Sequence, residues 1–345
     1  MASLATAGGG ALASPFGPRM EAAISSLALP PLLIWSTILL AGLGVLLKAS
    51  DWFTAAAERI GLALGLPSFL VGVTIVAFGT SLPELISSVL AVVRGASEIV
   101  AGNVVGSNVT NLLLILGLAA VIGGHLRVRY ELVSVDLPFL AGSAFFLALV
   151  LWNGTVSRLE GVLCLAGMAL YIWYAMASKA PIDAELQARE AAIAREPHWL
   201  RSTVILLGSG GLIYLGADYT VEAVVRISTL LGVSAAVIAA SAVALGTSLP
   251  EVAVTITAAR RGQPELAVGN VLGSNVFNAF GVVGVSALVG PLAVPSTILE
   301  FALPLMVIAS LLTFFMIMEK EMTKWEGWLA ILFYAYFLGV LLNIV

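Results

Sequence analysis

Long apolar runs separated by short polar turns dominate the chain from residue 31 onward. A run of about 20 apolar residues is long enough to cross a bilayer as a helix. The pattern predicts ten such helices, at 31–49, 67–93, 98–122, 130–151, 158–178, 199–217, 234–259, 264–289, 297–318 and 325–344. Amphipathic stretches, Asp51–Leu64 and Asp218–Leu231, follow the first and sixth segments, either continuing those helices or lying at the interface. The one sizeable polar connection, Lys179–His198, reads as a solvated helical linker. Residues 1–28 are rich in Ala, Gly, Ser and Pro without a basic start, which predicts a disordered extension rather than a secretory signal.

Composition places this pattern in a membrane. The chain is 60% apolar and 10% charged, against about 25% charged residues in soluble domains. Strand-like alternation over about ten residues, the signature of an outer-membrane barrel, is absent. The fold class is therefore all-α and polytopic. Lys and Arg supply the orientation. Loops after predicted helices 1, 3, 5, 7 and 9 collect Lys48, Arg59, Arg127, Arg129, Lys179, Arg189, Arg195, Arg201, Arg260, Arg261, Lys320 and Lys324. The other side holds Arg19, Arg94, Arg158 and Arg226. This asymmetry predicts both termini outside and the 179–198 linker in the cytoplasm.

The chain repeats itself. A shift of 167 residues superposes Asp51 on Asp218, Arg59 on Arg226 and Glu84 on Glu251 without a gap. About twenty of fifty positions are identical between Ser68–Gly117 and Ala235–Gly284. Residues 29–178 and 199–345 thus form two units of five predicted helices each. An odd number forces the second unit to enter the membrane the other way up. Inverted repeats of this kind place a transporter's site near the midplane, between the halves.

The strongest motif in each half is Gly-Thr-Ser-Leu-Pro-Glu, at 79–84 and 246–251. A carboxylate near the bilayer centre costs roughly 2.5 kcal/mol or more, so two at equivalent places predict a site. Thr80, Ser81 and Glu84 share a helix face, as do Thr247, Ser248 and Glu251. Pro83 and Pro250 lack the N–H that would bond the carbonyls of Gly79 and Gly246, which predicts a kink beside the polar cluster. The second motif, Gly-Asn-Val-x-Gly-Ser-Asn-Val-x-Asn at 102–111 and 269–278, lines one face with Asn103, Ser107 and Asn111, and again with Asn270, Ser274 and Asn278. Gly102 and Gly106, with Gly269 and Gly273, predict close helix packing. Asn103 and Asn270 are assigned to structure, while Asn111 and Asn278 serve either as ligands or as interhelical hydrogen-bond partners.

These donors are all oxygens. The single cysteine, Cys164, lies in an apolar segment, and His125 and His198 fall in loops. That excludes a thiolate or imidazole metal cluster and the nucleophile–base pair an enzyme would need. Carboxylates, hydroxyls, amides and carbonyls suit hard cations such as Ca²⁺. No basic run is long enough for nucleic acid, and no cofactor or protein partner is called for; the expected partners are lipid and inorganic cations.

Together these motifs resemble the paired alpha repeats of the sodium/calcium exchanger family, within the cation/calcium antiporter superfamily, over 68–122 and 235–289. The chain is similar to the compact prokaryotic type, since the long regulatory loop of animal members is missing. The resemblance implies a secondary antiporter working by alternating access, with helices 1 and 6 sliding across the core. It implies that Glu84 and Glu251 bind Ca²⁺ with help from the carbonyls of Thr80 and Thr247. Na⁺ would use overlapping positions: Ala77, Thr80, Ser81, Ser107 and Asn111, with Ala244, Thr247, Ser248, Ser274 and Asn278. Some members carry an acid where this chain has Asn278, which leaves two carboxylates at the centre here and bears on the Na⁺ count and on protons replacing Na⁺. The alternative is a Ca²⁺/H⁺ antiporter, whose branch resembles Gly-Asn-x-x-Glu instead.

Overall fold

A computed structural model describes residues 30–63, 79, 81–127, 130–177, 199–260, 262 and 264–344. The N-terminal extension, the first part of the second predicted helix and the 179–198 linker lie outside the described residues.

Helices stand where the apolar runs predict them. In order they are α1 (Pro31–Ala63), α2 (Leu82–Val93), α3 (Glu98–Gly123), α4 (Tyr130–Leu151) and α5 (Arg158–Ala177). The second half has α6 (Trp199–Leu231), α7 (Ala235–Thr247 and Leu249–Arg260), α8 (Pro264–Phe277 continuing to Val289), α9 (Ile298–Met318) and α10 (Lys324–Leu341). By length and composition, five continuous helices among the described residues can cross a membrane, and six if the bent α7 counts as one. The amphipathic stretches prove to be continuations: α1 runs through Asp51 to Ala63, and α6 runs through Asp218 to Leu231.

A cluster of polar side chains is buried within the apolar core, and the rim is apolar. Along α3, Asn103, Ser107, Asn108, Thr110 and Asn111 are all buried, while Leu149, Trp152, Trp173, Leu207, Trp325 and Leu332 face outward. Lipid is as apolar as leucine, so close packing at small residues holds such helices together. A Cβ on Gly106 would lie 2.3 Å from the Ala240 carbonyl oxygen, and one on Gly102 2.2 Å from that of Ala236, so α3 rides directly on the first half of α7. Likewise α1 crosses α6 at Gly42 and Gly216, where a Cβ on Gly216 would meet the Leu46 backbone nitrogen at 2.8 Å.

Four short strands at the helix ends add a feature the all-α reading does not contain: β1 (His125–Arg127), β2 (Thr155–Val156), β3 (Leu292–Ala293) and β4 (Glu321–Thr323). They form two antiparallel ribbons, β1 with β4 and β2 with β3. His125 pairs with Thr323; shifting one residue forward and the other back by 167 gives Leu292 and Val156, which pair in the other ribbon. Each ribbon joins one half to the other, and exchange of the halves converts one into its mate.

Candidate cation site

The site is built where one helix breaks, another begins and two others unwind slightly. In α7 the two segments meet at Ser248, whose backbone (φ −80°, ψ 7°) leaves the helix, and they are bent by 45°. Pro250 sits in the first turn beyond, so the missing N–H falls at the bend. On the other half, α2 starts at Leu82 after Ser81 (φ −91°, ψ 11°), with Pro83 in its first turn. On the facing helices, π turns begin at Thr110 and at Asn278, so Asn111 and Asn278 both sit at the start of a widened turn. Such bulges re-aim side chains and are frequent at functional sites.

Glu84 and Glu251 are both fully buried. Each is reached from the other half. Ser81 donates to Glu251 Oε1 at 3.1 Å, and Ser248 donates to Glu84 Oε1 at 3.4 Å. Ser274 adds a second donor to Glu251 Oε1 at 3.3 Å. The other oxygen of each carboxylate has no hydrogen-bond partner, and the same holds for the Ser107 hydroxyl, both amide atoms of Asn111 and Asn278 Oδ1. Among the described residues no cation pairs with either glutamate.

A buried polar atom without a partner costs about 1–3 kcal/mol. Such orphans are rare in native proteins, and here six lie on two pairs of repeat-equivalent positions, Glu84 with Glu251 and Asn111 with Asn278, and on Ser107. Their chemistry is uniform apart from one amide nitrogen: carboxylate, hydroxyl and amide oxygens, the donor set of a hard cation.

At two other predicted positions, one group each is bonded within α7. The Thr247 hydroxyl donates to the Val243 carbonyl at 3.0 Å, turning back into its own helix. The Ala244 carbonyl accepts the Ser248 N–H at 3.1 Å and the Thr247 hydroxyl at 3.4 Å. Ala77 and Thr80 lie outside the described residues. Asn103 and Asn270 behave as structural groups: Asn103 Nδ2 donates to Ser88 at 3.2 Å, and Asn270 Nδ2 to Thr255 at 3.0 Å, one equivalent bond per half.

Sequence reasoning missed Asn108 and its equivalent Asn275. Asn108 Nδ2 donates to the Asn275 carbonyl at 3.3 Å, and Asn278 Nδ2 donates to Asn108 Oδ1 at 3.2 Å. Asn108 thereby joins α3 to α8 and holds Asn278 by its Nδ2, while Asn278 Oδ1 has no partner. The signal was present, since both residues stand inside the second motif, but spacing along one face pointed to their neighbours.

A family model described as "Sodium/calcium exchanger protein" matches residues 34–177 and 201–343. The chain belongs to this family. It is 35% identical to the sodium/calcium exchanger MaX1 of Methanosarcina acetivorans, over 89% of this chain and 98% of that protein. It is 30% identical to the inner membrane protein YrbG of Escherichia coli, over 75% and 81%. Among solved structures, the sodium-calcium exchanger NCX_Mj aligns over 88% of this chain and 97% of its own, at 30% identity and a TM-score of 0.60. The exchanger is thus a multi-pass membrane antiporter of Ca²⁺ and a second cation, of the compact prokaryotic type, and its family is one of transporters rather than enzymes.

The cross-half hydroxyls carry a test. Ser81→Ala removes a hydrogen bond to a charged acceptor, worth about 1.5–3 kcal/mol. The expected result is an apparent Ca²⁺ affinity weakened roughly tenfold or more, read from the concentration dependence of flux. Unchanged affinity would show that Ser81 does not orient Glu251.

Proposed function

We propose that the exchanger moves Ca²⁺ against Na⁺ by alternating access, with one shared site at the junction of two inverted five-helix halves. The observation that carries this reading is the reciprocal pair Ser81–Glu251 and Ser248–Glu84, together with the unpartnered buried oxygens of Glu84, Glu251, Ser107, Asn111 and Asn278. Two carboxylates neutralise one Ca²⁺. The free oxygens of Glu84 and Glu251, with Ser107, Asn111, Ser274 and Asn278, supply ligands to the bound ions. The carbonyls of Thr80 and Thr247 complete the Ca²⁺ set, and Ala77, Ala244, Ser81 and Ser248 lie along the Na⁺ positions. The Ala244 carbonyl and the Thr247 hydroxyl are bonded inside α7 here, so those two groups take part only as the helix loosens.

Both ion sets compete for the same two negative charges. A site loaded with one set is neutral enough to switch faces. A site without ions leaves buried charge uncompensated, which opposes the switch. Coupling follows from that difference. The Lys and Arg bias places both termini outside and the 179–198 linker in the cytoplasm, in a prokaryotic plasma or inner membrane.

The test is Ca²⁺ flux in proteoliposomes under an imposed Na⁺ gradient and, separately, an imposed pH gradient. The Na⁺ gradient is expected to drive Ca²⁺ uptake and the pH gradient to leave it near background. Flux driven by pH alone would replace this reading with Ca²⁺/H⁺ exchange.

A further inference from the structure

The halves match in sequence yet pack unequally. In α6, Gly216, Ala217, Asp218, Thr220, Glu222 and Ile227 are buried, and this stretch packs along α2. The equivalent stretch of α1 leaves Asp51, Trp52, Ala55 and Arg59 exposed. The part of α7 equivalent to α2 likewise leaves Leu249, Ala253 and Thr257 exposed. One face of the molecule is therefore covered by α6 along α2, the helix that carries Glu84, and the counterpart along α7, which carries Glu251, is not covered by α1.

An ion pair marks the covered face. Arg94, the residue that ends α2, pairs with Asp218 in α6, their side chains being 21% and 8% exposed. Asp51, the repeat equivalent of Asp218, is 60% exposed and pairs at 3.7 Å with Lys48 on its own helix. An exposed surface pair contributes little, but this one is largely shielded and bridges two helices that belong to different halves. Arg226 strengthens the moving side. It bonds Glu222 at 2.8 Å and lies 5.6 Å from the centre of the Trp35 ring, tying the end of α6 to the start of α1. Together with the glycine crossing at Gly42 and Gly216, this makes α1 and α6 one body, so uncovering the Arg94 face requires Asp218 to leave Arg94.

We propose that Arg94–Asp218 is a state-dependent latch, formed when the Arg94 face is closed over the glutamates and broken when that face opens. The proposal rests on the alternating-access reading. The pair biases the resting balance toward access from the opposite face, so Ca²⁺ arriving at the Arg94 face must first overcome it. A ligand's apparent affinity falls in proportion to the population of the state that can bind it.

The experiment measures apparent Ca²⁺ affinity at each face, in right-side-out and inside-out vesicles containing the full chain. Arg94→Gln and Asp218→Asn are each expected to improve affinity at the Arg94 face relative to the opposite face by roughly tenfold. The charge swap Arg94→Asp with Asp218→Arg is expected to return the ratio toward that of the native protein. An unchanged ratio, an equal loss at both faces, or a shift that the swap leaves in place would overturn the latch. A second arm does not depend on the neutralised variants folding well. In a Cys164→Ala background, Arg94→Cys with Asp218→Cys is joined by a reductant-cleavable methanethiosulfonate cross-linker. Cross-linking is expected to stop exchange and reductant to restore it; undiminished exchange while cross-linked would overturn the proposal. If the native protein itself shows no Na⁺-driven flux, the exchange reading fails instead, which separates the two.

Discussion

Glu84→Gln and Glu251→Gln are each expected to abolish Ca²⁺ exchange while leaving a protein at least as stable as the original. Glutamine keeps the shape of the side chain and an oxygen that can accept from Ser248 or Ser81. What it removes is half the charge that balances a divalent ion. A unit charge about 4 Å away is worth about 4 kcal/mol at an effective dielectric constant near 20, which corresponds to roughly a thousandfold in affinity. The ion-free fold gains instead, because a buried, unpaired carboxylate is a liability that neutralisation relieves. Flux assays and thermal melts in ion-free detergent check the two halves of this statement. A variant that loses both activity and stability would make the glutamates structural, and near-normal exchange would remove them from the site.

The second large effect comes from a residue with no side chain. Gly106→Ala places a methyl 2.3 Å from the Ala240 carbonyl oxygen and 2.5 Å from its Cα, both backbone atoms. No rotamer change can relieve that contact, so α3 and α7 must separate. Overpacking of this kind costs up to about 3 kcal/mol, and it acts on the two helices that carry Ser107, Asn111, Ser248 and Glu251. The expected outcome is a marked fall in melting temperature with loss of exchange. Gly142→Ala is the control, since a Cβ there meets nothing within 4 Å. An equal response from the two variants would mean that the α3–α7 contact holds nothing in place.

Most of the frame is legible in the sequence alone. Apolar runs mark helices reliably because each bilayer crossing must satisfy its own backbone, and the observed ends of α4, α5 and α9 fall within a residue or so of the predicted ones. Glu84 and Glu251 were legible because an acid in an apolar run needs a reason. Other features were not. Strands of two or three residues such as β2 and β4 have no local signature, since they exist only through pairing with the other half. The π turns at Thr110 and Asn278 leave the apolar pattern unchanged. A face-by-face spacing argument finds Ser107 and Asn111 but passes over Asn108, which points between helices. Unequal packing of α1 and α6 is invisible in principle, because the repeats carry the same residues at Asp51 and Asp218 and the difference lies in which face is closed.

The central claim is that one site, built from both halves, holds either Ca²⁺ or Na⁺. Its most direct test is equilibrium Ca²⁺ binding to the purified exchanger across a series of Na⁺ concentrations, with and without Glu84→Gln and Glu251→Gln together. The account predicts a single class of Ca²⁺ site that Na⁺ displaces competitively and that the double substitution removes. Ca²⁺ binding that persists in the double variant, or that Na⁺ leaves unchanged, would contradict it.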